Sequence, residues 1–205
     1  MFALVESGSI TRMLNGNRGI TVDGVQHPRT IFTLWTEAER NAIGIYPVEI
    51  DESKKKDEKW YINTNITYAF DGSKVTGSYG DATARAHADS LYTDQDKTDD
   101  LIPDDKDVGD VKAEGLKTRL IRDIKKKAES ELNRTDWYVI RKTEEDIAIP
   151  STITTHRKAV RSKQTEMETA ITNASDTPAL ETLYTYTRQE DGSFTRPLGV
   201  IPTLE

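Results

Sequence analysis

Short apolar runs separated by turn residues fill the first 80 positions of the chain. The runs Phe2–Val5 and Ile10–Leu14 flank Ser7-Gly8-Ser9, a spacing that predicts a β-hairpin. A second hairpin is predicted where Ile20 and Val22 alternate with polar residues and Asp23-Gly24 follows. Asp-Gly favours a tight hairpin turn because both central positions of that turn need positive φ angles.

A short helix interrupts this β-rich region. Thr36 and Glu39 have the spacing of a capping box, and Gly44 is suited to end the helix. Its buried side is expected at Ala38, Ala42 and Ile43. The runs that follow predict strands at Ile45–Ile50, Trp60–Ile62, Ile66–Phe70 and Lys74–Tyr79.

The apolar spacing changes to a helical period in the last 95 residues. A helix is predicted from Val111 to Leu132, with apolar residues three or four positions apart at Ala113, Leu116, Leu120, Ile124, Ala128 and Leu132. A second helix is predicted from Ser151 to Ala174, with one apolar residue every seven positions at Ile153, Val160, Met167 and Ala174. His156 and Lys163 interrupt the seam that a coiled coil would need, so we expect an antiparallel pair closed by the Trp137 segment.

The chain ends with a short helix and a hairpin. Pro178 suits the first turn of a helix that continues over Ala179–Tyr184. Asp191-Gly192-Ser193, between Tyr186 and Phe194, predicts the turn of the hairpin. The predicted fold class is α+β, with a small N-terminal antiparallel β domain carrying one short helix and a C-terminal antiparallel helical pair with a terminal β-hairpin.

An acidic segment lies between the two predicted domains. Residues 81–110 contain ten acidic and three basic residues, a composition that predicts an acidic linker. The expected organisation is therefore a β-rich domain at 1–80, the linker at 81–110 and a helical domain with its C-terminal hairpin at 111–205.

Composition narrows the function classes. The net charge of −7 argues against a nucleic-acid partner, because phosphate binding needs a positive surface. The chain has no cysteine, which rules out disulfides and thiolate chemistry within it and fits assembly in a reducing cytoplasm. No apolar run reaches the roughly 18 residues of a membrane span, and the N-terminus lacks the pattern of a signal peptide, so no membrane association is expected.

The sequence contains no motif typical of catalysis or of a cofactor site. His27, His87 and His156 are far apart and lack metal-ligand spacing, and surface or structural roles are expected for them. No GxSxG elbow, P-loop or GxGxxG motif is present, so no cofactor and no enzyme activity are predicted. An enzyme whose catalytic residues assemble from distant positions is the alternative.

An acidic set of residues and a basic set are the candidate binding sites in the sequence. The acids Asp94, Asp96, Asp99 and Asp100 do not fit an EF-hand loop, whose sixth position is Gly and whose twelfth is Glu. A solvated linker is the favoured interpretation, with weak cation binding as the alternative.

The basic residues form two clusters, Arg119, Arg122, Lys125, Lys126 and Lys127 on the first helix and Arg157, Lys158, Arg161 and Lys163 on the second. Interleaved acids favour intramolecular pairing, with an acidic partner or nucleic acid as the alternative.

Two parts of the sequence resemble a known family. Thr135-Asp136-Trp137 through Arg141-Lys142, then Ile149-Pro150, then His156-Arg157-Lys158-Ala159-Val160-Arg161 resemble a T-D-W…R…P…R-x-x-x-R module of tail-fibre assembly proteins and related tail proteins of bacteriophages. His156 stands where that family often has Tyr. The N-terminal stretch from Gly19 through Asp23-Gly24 and Leu34-Trp35-Thr36 to Ile45 is similar to one in phage tail-associated proteins.

This resemblance implies a structural module that binds other tail proteins. Its residues here are Asp136, Trp137, Arg141, Pro150, Arg157 and Arg161. Asp136 is expected to cap the turn after the first long helix, and Trp137 to fill the space between the two helices. The implied function is a virion component that binds tail-fibre or baseplate proteins and is assembled in the host cytoplasm, with homo-oligomers possible. The alternative is a fibre-assembly chaperone that is not retained in the particle.

Overall fold

A computed structural model describes residues 1–204 and divides the chain into two compact units, which meet at Thr83 and Ala84. The fold is mixed α+β, with a β-sheet in the N-terminal unit and helices in the C-terminal unit. This agrees with the predicted fold class at that level of detail. None of the helices in residues 1–204 is long and apolar enough to span a bilayer.

The N-terminal unit contains most of the strands and two short helices. Its elements are β1 (Phe2–Glu6), β2 (Ser9–Leu14), β3 (Ile20–Val22), β4 (Val25–His27), α1 (Ile31–Leu34), α2 (Glu37–Asn41), β5 (Ile45–Asp51), β6 (Tyr61–Ile62), β7 (Thr67–Phe70) and β8 (Val75–Ser78), with β9 (Thr83–Ala84) at the division. Five of the strands form one sheet in the order β2-β1-β5-β8-β7.

Local turn and capping signals were predicted correctly. Strands β1 and β2 pair as a hairpin, and β3 and β4 pair around Asp23 and Gly24, whose φ angles are +47° and +79°. Thr36 and Glu39 form the capping box of α2 from both sides: Thr36 Oγ1 accepts from the Glu39 N–H, and Glu39 accepts from the Thr36 N–H.

Two expectations for this unit were wrong. The sheet is mixed and not antiparallel throughout, since β5 and β8 run parallel. Ala38 and Ala42 are exposed, and α2 has no buried residue. The burial comes instead from α1, a second short helix, whose Ile31 and Phe32 reach the core. A four-residue helix is too short to produce a recognisable helical period in the sequence.

The core of this unit lies on the two faces of the sheet. On one face Leu4 and Ile45 pack with residues of the β3–β4 hairpin and of α1. On the other face Ala3, Val5 and Val75 are buried and partly buried side chains surround them. Successive side chains of β1 therefore enter opposite clusters, as the pleat of a strand requires.

The C-terminal unit is built around two long helices. Its elements are β10 (Ser90–Leu91), α3 (Asp94–Thr98), β11 (Val111–Ala113), α4 (Leu116–Asn133), α5 (Asp136–Glu145), α6 (Ser151–Asn173), α7 (Thr177–Tyr184), β12 (Thr187–Arg188) and β13 (Phe194–Thr195).

The segment expected as an acidic linker is folded. Strand β10 pairs with β11, and Thr93 and Asp96 form a capping box at the start of α3. Asp96 is buried and also pairs with Lys112 of β11. Hydrogen bonds from Lys112 and from Thr93 lower the pKa of Asp96 to about 2. These contacts hold the segment in place despite its low content of apolar residues.

The first long helix begins later than the sequence predicted. Val111–Ala113 belong to β11, and Gly115 is the N-cap of α4. Gly115 lies so close to the backbone of Ala88 that an added Cβ would stand 2.3 Å from that residue's carbonyl carbon. The close approach ends the strand and lets the helix start at Leu116.

Helices α4 and α6 pack antiparallel along a continuous apolar seam. The start of α4 meets the end of α6, where Lys117 Nζ donates to the Thr172 carbonyl at 2.8 Å. The predicted positions of the seam are all buried in α6, at Ile153, Val160 and Met167, followed by Ala174 directly after the helix. In α4 they are buried at Leu116, Leu120, Ile124 and Ala128.

The end of the chain agrees with the prediction. Asp176 caps α7 by accepting from the Ala179 N–H at 2.8 Å, and Pro178 lies in the first turn. Strands β12 and β13 pair antiparallel around Gly192. After the hairpin Leu198 is fully buried, and its N–H donates to the Leu183 carbonyl.

Candidate interaction surface

Helix α5 is attached to the long helices through Arg157 of α6. Arg157 is only 8% exposed. It donates to the Leu132 carbonyl at 2.8 Å and to Thr135 Oγ1 at 2.6 Å, and it pairs with Asp136 at 2.8 Å. The turn between α4 and α5 is thereby fixed. The expected capping role of Asp136 is wrong: Asp136 is the first residue of α5, Thr135 holds the N-cap position without a side-chain cap, and Asp136 acts as the partner of Arg157.

A second buried group, Glu131, holds the end of α4. One Glu131 oxygen lies 3.1 Å from His156 Nε2 and accepts from the Leu204 backbone N–H at 2.7 Å. Arg134 donates to both carboxylate oxygens at 3.0 Å. Burial raises the pKa of Glu131, but the bonds from Leu204 and Arg134 outweigh it and leave that pKa below its usual value. His156 therefore contacts a carboxylate in the structure.

Pro150 and Arg161, the other predicted positions on this side, have different surroundings. Pro150 is the N-cap of α6, and its carbonyl accepts from the Thr154 N–H at 3.0 Å. Arg161 is exposed and lies one helical turn beyond Arg157. Both arginines line a shallow depression of about 420 Å³ together with Asp136.

The apolar side chains of α5 are exposed. No residue of this helix is buried. Trp137 is 50% and Ile140 55% exposed, with Val139 and Ile147 also open to solvent. The expectation that Trp137 fills the space between the long helices is therefore wrong. That space is already occupied by Ile124, Ala128, Val160 and other aliphatic side chains of α4 and α6, and a packed interior has no room for an indole.

Arg141 organises the aromatic side chains of α5. Its guanidinium carbon lies 4.7 Å from the centre of the Trp137 ring and 5.4 Å from that of Tyr138. The two rings are themselves 3.8 Å apart, centre to centre. Nε of Arg141 is buried without a hydrogen-bond partner among the described residues. Trp137, Tyr138, Ile140 and Arg141 are called the α5 surface below.

The remaining candidate residues from the sequence are not gathered into one site. His27 packs edge-on against Trp35 in the N-terminal unit, at a ring distance of 5.5 Å. Asp96 serves the capping box and Lys112, and Asp99 accepts from Gln95. No three or more His, Asp or Glu residues between positions 1 and 204 are grouped as metal ligands.

Four of the nine residues in the two basic clusters form ion pairs with described residues of the C-terminal unit, namely Arg122, Lys125, Arg157 and Lys163, so the expected intramolecular pairing holds only in part. Arg122 binds both oxygens of Glu114 at 2.8 Å. Lys163 pairs with Glu166 at 2.6 Å, and Lys125 lies 3.8 Å from Glu168 across the two long helices.

Helix α5 and its exposed aromatic stack are absent from the elements predicted from the sequence. A usable signal was present, because Trp137, Ile140, Arg141 and Glu144 are spaced three and four apart and fall on one helical face. Comparison with known proteins gives no relative: no protein-family model, no characterised protein and no solved structure matches the chain.

Proposed function

We propose that this chain is a non-enzymatic component of a bacteriophage tail that binds tail-fibre or baseplate proteins through the α5 surface. The observation that carries the proposal is the contrast within α5 itself. Its first turn is fixed by the Arg157–Asp136 pair, yet its apolar and aromatic side chains are not covered by the other described residues of the C-terminal unit. The proposed location is the virion tail, with assembly in the host cytoplasm.

The composition of the α5 surface is typical of residues that dominate binding energy. Trp, Tyr and Arg are the residue types most enriched at the energetic centres of protein interfaces. Here all three lie together, and Arg141 is already stacked on both rings before a partner binds. A preformed arrangement loses less side-chain entropy on binding than a mobile one.

The chemistry of the surface indicates what a partner would supply. Nε of Arg141 is buried, and its two terminal nitrogens make no hydrogen bond to the described residues, so the N–H donors at the outer edge of the guanidinium can bind a carboxylate. Trp137 and Ile140 offer apolar area beside it. A partner is therefore expected to place an acidic side chain against Arg141 and apolar side chains against the two neighbours.

Mass spectrometry of purified particles from the virus that encodes this chain tests the proposal. The expected result is that the chain is present in stoichiometric amounts with the tail proteins and remains after the particles are washed in high salt. If it is absent from particles while the tail fibres still require its co-expression to assemble, the protein is a chaperone and the proposal of a virion component is wrong.

A further inference from the structure

A positively lined depression in the N-terminal unit is not explained by the proposed function. It has a volume of about 510 Å³ and lies where the loop 15–19 connects β2 to β3. Arg12 and Arg18 line it, and no acidic residue does. The depression is therefore lined by two positive side chains in a chain whose net charge is −7.

Neither arginine is used by the fold. In residues 1–204 no ion pair or hydrogen bond involves the guanidinium of Arg12 or Arg18, and both side chains are exposed. Arg12 is placed by the sheet: it pairs with Leu4 in the β1–β2 ladder, and paired residues extend from the same face. That face is the one covered by the β3–β4 hairpin and α1, so Arg12 lies at the rim of the apolar cluster.

The loop that carries Arg18 is held in a defined shape at two glycines. Gly16 has a φ of +68°, and an added Cβ would stand 3.2 Å from the Phe32 ring. Gly19 lies so close to the His27 carbonyl that an added Cβ would be 2.6 Å from its oxygen. The loop backbone thus packs closely against the Phe32 ring on one side and against the β3–β4 hairpin on the other. Arg18 is presented from a constrained turn and not from a free loop.

The lining combines three kinds of group. Leu14, Ile20 and Phe32 supply a small apolar floor within a mainly polar lining, since Ile20 and Phe32 are themselves largely buried. Asn15 and Asn17 add amide donors between the two arginines in the loop sequence. Guanidinium groups bind phosphate and carboxylate oxygens through paired N–H donors, and an apolar floor adds affinity for a carbon skeleton beside the anion.

From these observations we propose that the depression between β2 and β3 is a binding site for a ligand that carries a phosphate or carboxylate group next to an apolar group. Arg12 and Arg18 bind the anion from two sides, Asn15 and Asn17 donate to its remaining oxygens, and the apolar part rests on Phe32. The site is in the N-terminal unit and is independent of α5, so it stands whether or not the α5 surface binds tail proteins.

Calorimetric titration of the full chain at low ionic strength tests the site with three probes: phenyl phosphate, benzoate and inorganic phosphate. Saturable binding is expected for phenyl phosphate or benzoate, and the stronger of the two identifies the preferred anion. Inorganic phosphate is expected to bind at least about tenfold more weakly, because it lacks the apolar part. Absence of saturable binding for both aromatic probes would overturn the proposal, and equal affinity for inorganic phosphate would overturn the role of the apolar floor.

Substitutions locate the site. Arg12→Gln and Arg18→Gln are each expected to weaken probe binding by about tenfold or more, since each removes a charge-assisted pair of hydrogen bonds. Arg29→Gln is the matched control, because Arg29 is an exposed arginine of the same unit that does not line the depression. Amide chemical shifts of residues 12–21 should move on titration of the wild-type chain. Equal affinity in all three variants would show that the arginines do not form the site.

Discussion

Helices α5 and α6 follow each other in the sequence, and both carry apolar residues at helical spacing, but they use them differently. Helix α6 buries Ile153, Val160, Met167 and Ile171 against α4 and neighbouring elements. Helix α5 buries none of its residues and leaves Trp137 and Ile140 half exposed. The same pattern in the sequence therefore corresponds to an internal seam in one helix and to an open surface in the next.

Polar contacts attach the start of α5 to the unit. The buried Arg157 donates to the Leu132 carbonyl and to Thr135 and pairs with Asp136 of α5, whereas Glu131 holds the end of α4. Because no side chain of α5 is buried, its apolar surface is expected to contribute little to the free energy of unfolding. Such a surface is expected to contribute free energy only on binding, when another molecule buries its apolar area.

The largest expected change in unfolding free energy comes from truncating an isoleucine in α6, and truncating an isoleucine in α5 provides the comparison. Ile171→Ala in α6 removes a fully buried side chain and should lower the free energy of unfolding by about 2–5 kcal/mol. Ile140→Ala in α5 is the matched control, for which a change within about 0.5 kcal/mol is expected. Urea unfolding followed by circular dichroism measures both. Similar losses in the two variants would contradict the contrast between seam and surface.

The next effect tests the polar attachment of α5. Arg157→Met removes the donors to Leu132 and Thr135 and the charge opposite Asp136, and should cost about 1.5–3 kcal/mol of unfolding free energy. Arg161→Met, one turn further along the same helix, is the control and should change stability by no more than about 0.5 kcal/mol. Hydrogen exchange of the α5 amides should rise in the first variant only. Unchanged exchange there would mean that α5 is attached in another way.

A smaller and pH-dependent effect is expected at Glu131. Its pKa is lower in the folded chain than its usual value, so the folded state binds fewer protons there than the unfolded state does. The stabilising contribution is therefore complete above the unfolded-state pKa and is lost as the pH falls through the lowered pKa of the folded state. Glu131→Gln should cost about 1–2 kcal/mol at pH 7.

The pH dependence of that variant supplies its own control. The stability difference between wild type and Glu131→Gln should begin to narrow as the pH falls below about 4.5, where Glu131 of the unfolded chain takes up its proton, and should close only below the lowered pKa of the folded state, where both side chains are neutral. Unfolding curves between pH 7 and pH 3 measure it. A difference that stays constant over this range would show that the charge of Glu131 does not hold the end of α4.

The parts of the fold that sequence could predict are those fixed by neighbouring residues. Asp23-Gly24 specifies a hairpin turn, Thr36 and Glu39 specify a helix start, and the seven-residue spacing from Ile153 to Met167 specifies one buried face. Each depends on side chains within a few turns of one another. The acidic capping residue Asp96 belongs to the same class, but the high charge of its surroundings concealed it.

The parts that sequence could not predict depend on distant partners. The parallel pairing of β5 with β8 places Val48 beside Val75, which is 27 residues away in the sequence, and nothing in either segment specifies that register. For Trp137 the obstacle was different. A tryptophan side chain is large and mostly buried in folded chains, so the presence of Trp137 favoured an internal position. Whether an apolar face is covered by the same chain or by another one is decided by the space that is left, and here Ala128 and Val160 leave none.

The proposed binding of tail-fibre or baseplate proteins by the α5 surface can be measured as the copy number of variants in purified particles. Trp137→Ala and Arg141→Ala, expressed in place of the wild-type chain, should keep the wild-type unfolding free energy within about 0.5 kcal/mol and fall at least about tenfold in abundance per particle. Phe194→Ala, which removes an aromatic residue that is 64% exposed elsewhere in the same unit, should be incorporated normally. Incorporation of the two α5 variants at the wild-type level would contradict the account.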